Sequence, residues 1–285
     1  IPNADGTLGP RNDLTCVNLE EKMGIHGSST CTMAFGENGR CKGWIIGEEG
    51  SGMRHMFVMM NEARLEVGMQ GVALGNRAFQ IALDYAKERI QGPHARDIRN
   101  PEAERVAIVK HPNVRRMLME CKSLGEGTRA LLYRTSHYLD LSRYAATEEE
   151  RDRYDAFVGL LTPICKAYCS EAGMRIADTA MQVLGGYGYI KEYGVEQILR
   201  DVKIAQIYEG TNSIQALDLI ARKIGRKGGQ HLMWLMGEIS DFIQRQKDHY
   251  GLGAEVGRLM EAQNALIKIS MAFHGYQMQG DVEYP

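Results

Sequence analysis

Apolar residues recur along this chain with two different periods. From Thr15 to Trp44 the pattern is short, glycine-punctuated and close to alternating: Thr15, Val17 and Leu19 interleave with Cys16, Asn18 and Glu20, as in a half-buried strand. Residues 30–35 and 41–46 predict two more strands, joined by a turn at Gly36-Glu37-Asn38-Gly39. So small a set of strands leaves unpaired edges. After Gly50-Ser51-Gly52 the period lengthens. Met56, Met60, Ala63, Val67, Gln70, Leu74 and Ile81 recur at helical spacing to about Arg89, and Gly92-Pro93 closes the segment. Gly68, Gly71 and Gly75 weaken such a helix intrinsically, so they predict close approach of a neighbouring helix or a ligand. Pro112 opens a second helix reaching about Ala145. Thr147, with Glu150 three residues on, caps a third that runs to Gly185-Gly186 with a break near Pro163. Shorter helices follow at 195–208, 212–224, 230–249 and 254–273. The fold class is mainly α: an antiparallel helical bundle at 53–228, a partial β-domain in front at 1–52, and an additional helical segment at 229–285.

Composition changes this picture little, but it removes several function classes. A chain of 285 residues buries a sizeable core, and its net charge of -2 leaves no nucleic-acid footprint. Six cysteines form no Cys-x-x-Cys pair; Cys165 and Cys169, one helical turn apart among apolar residues, are packed thiols. That usage suits a reducing, cytoplasmic setting. No apolar run has the length of a membrane span, and the eight histidines show no ligand spacing, so no metal is expected. Arg222-Lys223 and Arg226-Lys227 form a basic helix end that complements the dipole. Leu232, Leu235 and Ile239 mark bundle packing or a subunit contact.

The chemistry concentrates between Gln182 and Gln215. There a Gly-Gly-Tyr-Gly-Tyr turn leads into an amphipathic run that stops at Tyr208-Glu209-Gly210-Thr211. Glu209 sits where an apolar helix gives way to glycine. Partial burial there would disfavour its charged form, as suits a general base; the bland reading is a solvated carboxylate at a helix end.

Gln182, Gly185, Gly186, Gly188, Tyr189, Glu192, Tyr193, Arg200, Asp201 and the run from Ile207 to Thr211, with Ile214 and Gln215, closely resemble the C-terminal signature of the acyl-CoA dehydrogenase family of flavoenzymes. Two further blocks are similar to the same family in the same order. Lys22 to Thr30 resembles the end of its middle β-domain, and Glu62 to Gly92 the first helix of its C-terminal domain. The resemblance runs from about Leu14 to Lys223, and the tail looks like that of the family's longer members. It implies α,β-desaturation of an acyl-CoA thioester with FAD as cofactor. Glu209 is then the α-proton base, with Arg64, Tyr208 and Gly210 beside the substrate. Gln182, Gly185, Gly186, Thr211 and Ser213 would contact the flavin, whereas Arg89 and Gln91 would reach a neighbouring subunit's flavin across a dimer interface. For Arg64, structural ion pairing is an equal reading. The implied partners are an electron-transfer flavoprotein and further copies of the chain, as homodimer or homotetramer. An oxidase using oxygen as acceptor, or a non-catalytic scaffold retaining the signature, would carry the same residues.

The chain departs from the family pattern in places. Ala63 stands where some relatives carry the base, and Glu62 and Glu66 lie on other helix faces, which favours Glu209. Gly92-Pro93 replace the usual aromatic, the connection 94–110 is longer, and His111-Pro112 stand in for a His-Gln pair, which alters the adenine end. The opening Ile1-Pro2-Asn3, without an initiator methionine, fits a C-terminal portion of a longer enzyme.

Overall fold

The computed structural model describes residues 1–3 and 5–279. Three long helices carry the architecture: α1 (Gly52–Glu88), α2 (Pro112–Tyr144) and α3 (Glu148–Leu184). Each starts or stops where local chemistry requires. Pro112 occupies the first turn of α2, where its missing N–H costs nothing. At the start of α3, Thr147 Oγ1 accepts from the Glu150 N–H (3.2 Å) and the Glu150 carboxylate accepts from the Thr147 N–H (3.1 Å). This reciprocal cap satisfies two otherwise orphaned donors.

Small residues set the spacing of the bundle. A Cβ on Gly68 would lie 3.2 Å from the Cys165 carbonyl oxygen, one on Gly71 only 2.4 Å from that of Cys169, and one on Gly75 3.1 Å from Gly173 Cα. The residue numbers rise together, so α1 and α3 run parallel, nearly backbone to backbone. Helix α2 runs against both: Cys121 Sγ points to the Ile176 carbonyl, Cys169 Sγ to that of Thr128, and Thr135 Oγ1 lies 3.2 Å from Cys165 Sγ. Phe157, Leu132 and Ile176 fill the spaces between. Burial pushes the thiols of Cys121 and Cys165 up to about 11 and that of Cys169 to about 12, as packed, unreactive groups should be.

Shorter elements surround this frame. Strands β1 (Leu14–Leu19) and β2 (Cys31–Phe35) form an antiparallel pair. The third strand expected at 41–46 does not form. Its Lys42 N–H and carbonyl are paired with the side-chain amide of Asn12 instead of a ladder, and Trp44, Ile45 and Ile46 stay exposed. The 94–110 connection, by contrast, is ordered by an unforeseen pair of strands, β3 (Ile90–Pro93) and β4 (Arg105–Ala107), so Gly92-Pro93 belong to a strand after the helix has ended. Helix α4 (Val195–Lys203) tightens into a 3-10 turn at Ile204–Gln206, short of the expected 208. It also docks the β segment. Asp201 accepts from the Ile25 N–H (2.6 Å), Arg200 Nη1 donates to the Met23 carbonyl (2.8 Å), and Gly24 leaves no room for a side chain against Arg200.

Helix α5 (Asn212–Asp218) continues as a π turn through Lys223. Helix α6 (Gln230–Gln246) is pinned to α2 by Glu238, which takes hydrogen bonds from Arg134 and Tyr138. Helix α7 (Gly253–Gln279) reaches back through Gln263 Nε2 to the Met236 carbonyl and Ser240 Oγ. Among the described residues no helix is long and apolar enough to cross a membrane.

The break expected near Pro163 is absent, since α3 passes through it unbroken. The Thr162 hydroxyl donates to the Val158 carbonyl (2.7 Å), and buried Phe157, Leu160 and Cys165 hold both sides of the proline in the core. Packing outweighs the roughly 3 kcal/mol that proline costs in a helix interior.

Next to Cys165, the fully buried Lys166 turns inward. Desolvation, then the charge of Arg64, pushes its ammonium down to about 8 from an unfolded value of 10.5, against the opposing pull of Glu209 and Glu171.

Two outcomes follow from these contacts. Gly71→Ala is expected to cost about 3 kcal/mol or more in urea unfolding, because its Cβ meets backbone that cannot step aside. Gly68→Ala should be near neutral, its roughly 1 kcal/mol gain in helix propensity offsetting a milder contact. For Lys166, the unfolded chain holds more protons than the folded one between about pH 8 and 10.5, so this group adds stability as pH rises through that window. The stability difference between wild type and Lys166→Met should therefore move by roughly 3 kcal/mol in favour of wild type across it. The buried thiols are common to both proteins and cancel; a flat difference would show that Lys166 is not held as described.

Candidate functional site

The segment between α4 and α5 is shaped by two left-handed residues in succession, Glu209 (φ 56°) and Gly210 (φ 84°). For glycine this is free. For glutamate it costs on the order of 1 kcal/mol or more, and such strain persists only where its surroundings enforce it. Here the enforcing group is Gln215. Its buried side-chain Nε2 donates to the carbonyls of both Glu209 (3.2 Å) and Gly210 (3.1 Å), bracing the turn from the first turns of α5. Thr211 Oγ1 caps α5 by accepting from the Ile214 N–H. Tyr208 turns the other way, and its hydroxyl donates to Gln70 on α1. Glu209 is half-buried, and among the described residues its backbone N–H is not engaged by another group.

Beneath this turn lies a cluster of buried charge. Arg64, 5% exposed, bonds Asp218 (2.9 Å), and Asp218 also takes the exposed Arg222 (3.0 Å). Among the described residues Arg64 Nε has no hydrogen-bond partner. A cavity of about 280 Å³ opens beside it, bounded by Asn61, Asp218, Arg222, Lys223 and Arg226, where cations outnumber the single carboxylate. Lys166 Nζ donates to Asn212 Oδ1 (3.1 Å) from within α3.

The remaining sequence-derived residues, Ser213 apart, gather at the other end of α1. Arg89 lies over the Tyr187 ring (5.4 Å) and bonds Gln91 (3.4 Å), and among the described residues its buried Nε has no partner. Tyr187 belongs to the turn formed by Gly185 and Gly186, both exposed, with open space where a Cβ would point. Gln182 is exposed near the end of α3, whereas Ser213, also exposed, stands in the first turn of α5 next to the strained turn. The residues therefore fall into two groups: Arg64, Tyr208, Glu209, Gly210, Thr211 and Ser213 around the strained turn, and Arg89, Gln91, Gln182, Gly185 and Gly186 around the Tyr187 turn.

Sequence reasoning gave no role to Lys166, Asn212, Asp218 or Gln70. For Lys166 a signal existed: Thr162, Lys166, Ser170 and Gly173 share the spacing of the inward face of α3.

Residues 50–225 match the family described as "Acyl-CoA dehydrogenase, C-terminal domain". A butyryl-CoA dehydrogenase of Syntrophomonas wolfei is 43% identical over 250 residues, covering 86% of this chain and 40% of that enzyme. A 3-methylmercaptopropionyl-CoA dehydrogenase of Ruegeria pomeroyi is 44% identical over 225 residues, covering 79% of this chain and 37% of its own. The chain thus spans about two fifths of these relatives. Among solved structures, Caenorhabditis elegans ACDH-11 in complex with C11-CoA superposes with a TM-score of 0.80 at 22% identity, over 98% of this chain and 44% of that one, a likeness of fold. On the match across 50–225, this chain belongs to the acyl-CoA dehydrogenase family.

Proposed function

We propose that this chain provides the catalytic base and one wall of the substrate and flavin sites of an FAD-dependent acyl-CoA dehydrogenase. The observation that carries the reading is the strained Glu209–Gly210 turn: a half-buried carboxylate held in an unfavourable backbone conformation by a dedicated side chain, Gln215. Strain of this kind is retained where a group must be aimed.

Glu209 accepts the α-proton of the acyl thioester. Negative charge then develops on the thioester oxygen, and the unengaged N–H of Glu209 is suited to receive it. Gly210 lets the backbone come close, Tyr208 fixes the turn to α1, and the cationic cavity beside Arg64 suits the anionic parts of acyl-CoA. FAD, when bound, supplies the acceptor for the β-hydrogen as hydride. The residues present fit that group: Gly185 and Gly186 offer uncrowded backbone for a pyrophosphate, and Arg89 offers an orphaned buried N–H. Arg89 and Gln91 reach the flavin of a second subunit in a homodimer or homotetramer, with an electron-transfer flavoprotein as the external acceptor.

Glu209→Gln in the flavin-loaded enzyme is expected to lower kcat by roughly 10³-fold, with the FAD absorbance and KM for acyl-CoA little changed. Full turnover in that variant would remove Glu209 from the base role. Arg89→Ala should lower the FAD retained through gel filtration while leaving the helical circular dichroism intact.

A further inference from the structure

Packing alone does not account for Lys166. Its side chain is completely buried, yet its ammonium is bonded to a neutral group, Asn212 Oδ1, and among the described residues no carboxylate pairs with it directly. Asn212 is the residue that follows Glu209-Gly210-Thr211 and begins α5. Its side chain is gripped at both ends by one stretch of α3. Ser170 Oγ donates to Oδ1 (3.3 Å) alongside Lys166, while Nδ2 donates to the Ala167 carbonyl (3.3 Å) and to Glu171 Oε1 (3.0 Å). Gln215 braces the turn from within its own segment, so it fixes the turn's shape. The grip on Asn212 comes from the bundle, so it fixes where the turn sits.

The charges around Lys166 suit this assignment. Glu209 on the turn and Glu171 on α3 attract it, whereas Arg64 on α1 repels it and is itself held by Asp218 of α5. Burial lowers the ammonium to about 8, which leaves it charged at neutral pH, and a charged donor makes the stronger hydrogen bond.

We propose that Lys166 is a positioning residue: through Asn212 it anchors the Glu209–Gly210 turn against α3 in the pose that proton removal requires. The proposal rests on Glu209 being the base. In the flavin-loaded enzyme, Asn212→Ala and Lys166→Met should each lower kcat about 10-fold or more with KM changed by less than about 3-fold, and the double variant should be no worse than the poorer single one. Without ligand, both should speed hydrogen exchange of the amides at 207–216 while leaving those of α2 protected. Wild-type kcat or unchanged exchange in Asn212→Ala would overturn the proposal, as would single losses that multiply in the double variant. Should Lys166→Met not fold, the half-buried Asn212→Ala decides alone. If Glu209→Gln keeps full turnover, the base reading falls separately, and the exchange measurement still judges the link from Asn212 to the turn.

Discussion

The contact on which the rest of this structure depends is the approach of α1 to α3 at Gly71 and Gly173. A Cβ on either residue would come within 2.4 Å of a backbone oxygen of the other helix, so the two helices are locked in depth and in register by what is missing from their surfaces. That register brings Arg64 on α1 to Asp218 and Gln70 to Tyr208, and it sets Lys166 on α3 under the segment where α4 gives way to α5. The weak intrinsic helicity of a glycine-bearing α1 is offset by the dispersion and burial that such close packing allows.

Within that frame, several charged and polar side chains are buried, among them Arg64, Lys166, Gln215 and Asp218. Replacing buried ion pairs by well-packed apolar side chains is often neutral or stabilising, so Arg64–Asp218 and Lys166 are poorly explained as sources of stability. They cluster around a single strained turn, whose brace, Gln215, leaves a buried Oε1 unpartnered among the described residues. On the proposed reading of Glu209 as base, these groups trade local stability for the placement of one carboxylate and its neighbouring backbone.

Much of the fold was legible because its signals are local. The capping pair Thr147 and Glu150, Pro112 at a helix start, and the 3.6-residue period of α1 each follow from chemistry within a few residues. The failures are cases where distant packing decided. Pro163 sits in an unbroken helix because neighbouring helices press on both sides, and residues 41–46 form no strand because Asn12 takes the backbone partners of Lys42. In the site, Glu209 and the glycines could be picked out as words. The side chains that hold Glu209, Gln215 at close range and Lys166 through Asn212, depend on a three-dimensional register that no spacing rule expresses.

Arg200 and Asp201 belong to the stretch that reads as a catalytic signature, yet among the described residues their bonds go to Met23, Ile25, Glu196 and Gln197, not to Glu209 or the Gly185–Gly186 turn. They are the imprint of the layer that lies against α4. A relative could therefore lose its base and keep these two residues intact, since what they require is a neighbour, not a reaction. Part of such a signature records architecture, and the authority to infer chemistry from it rests with the few letters around Glu209.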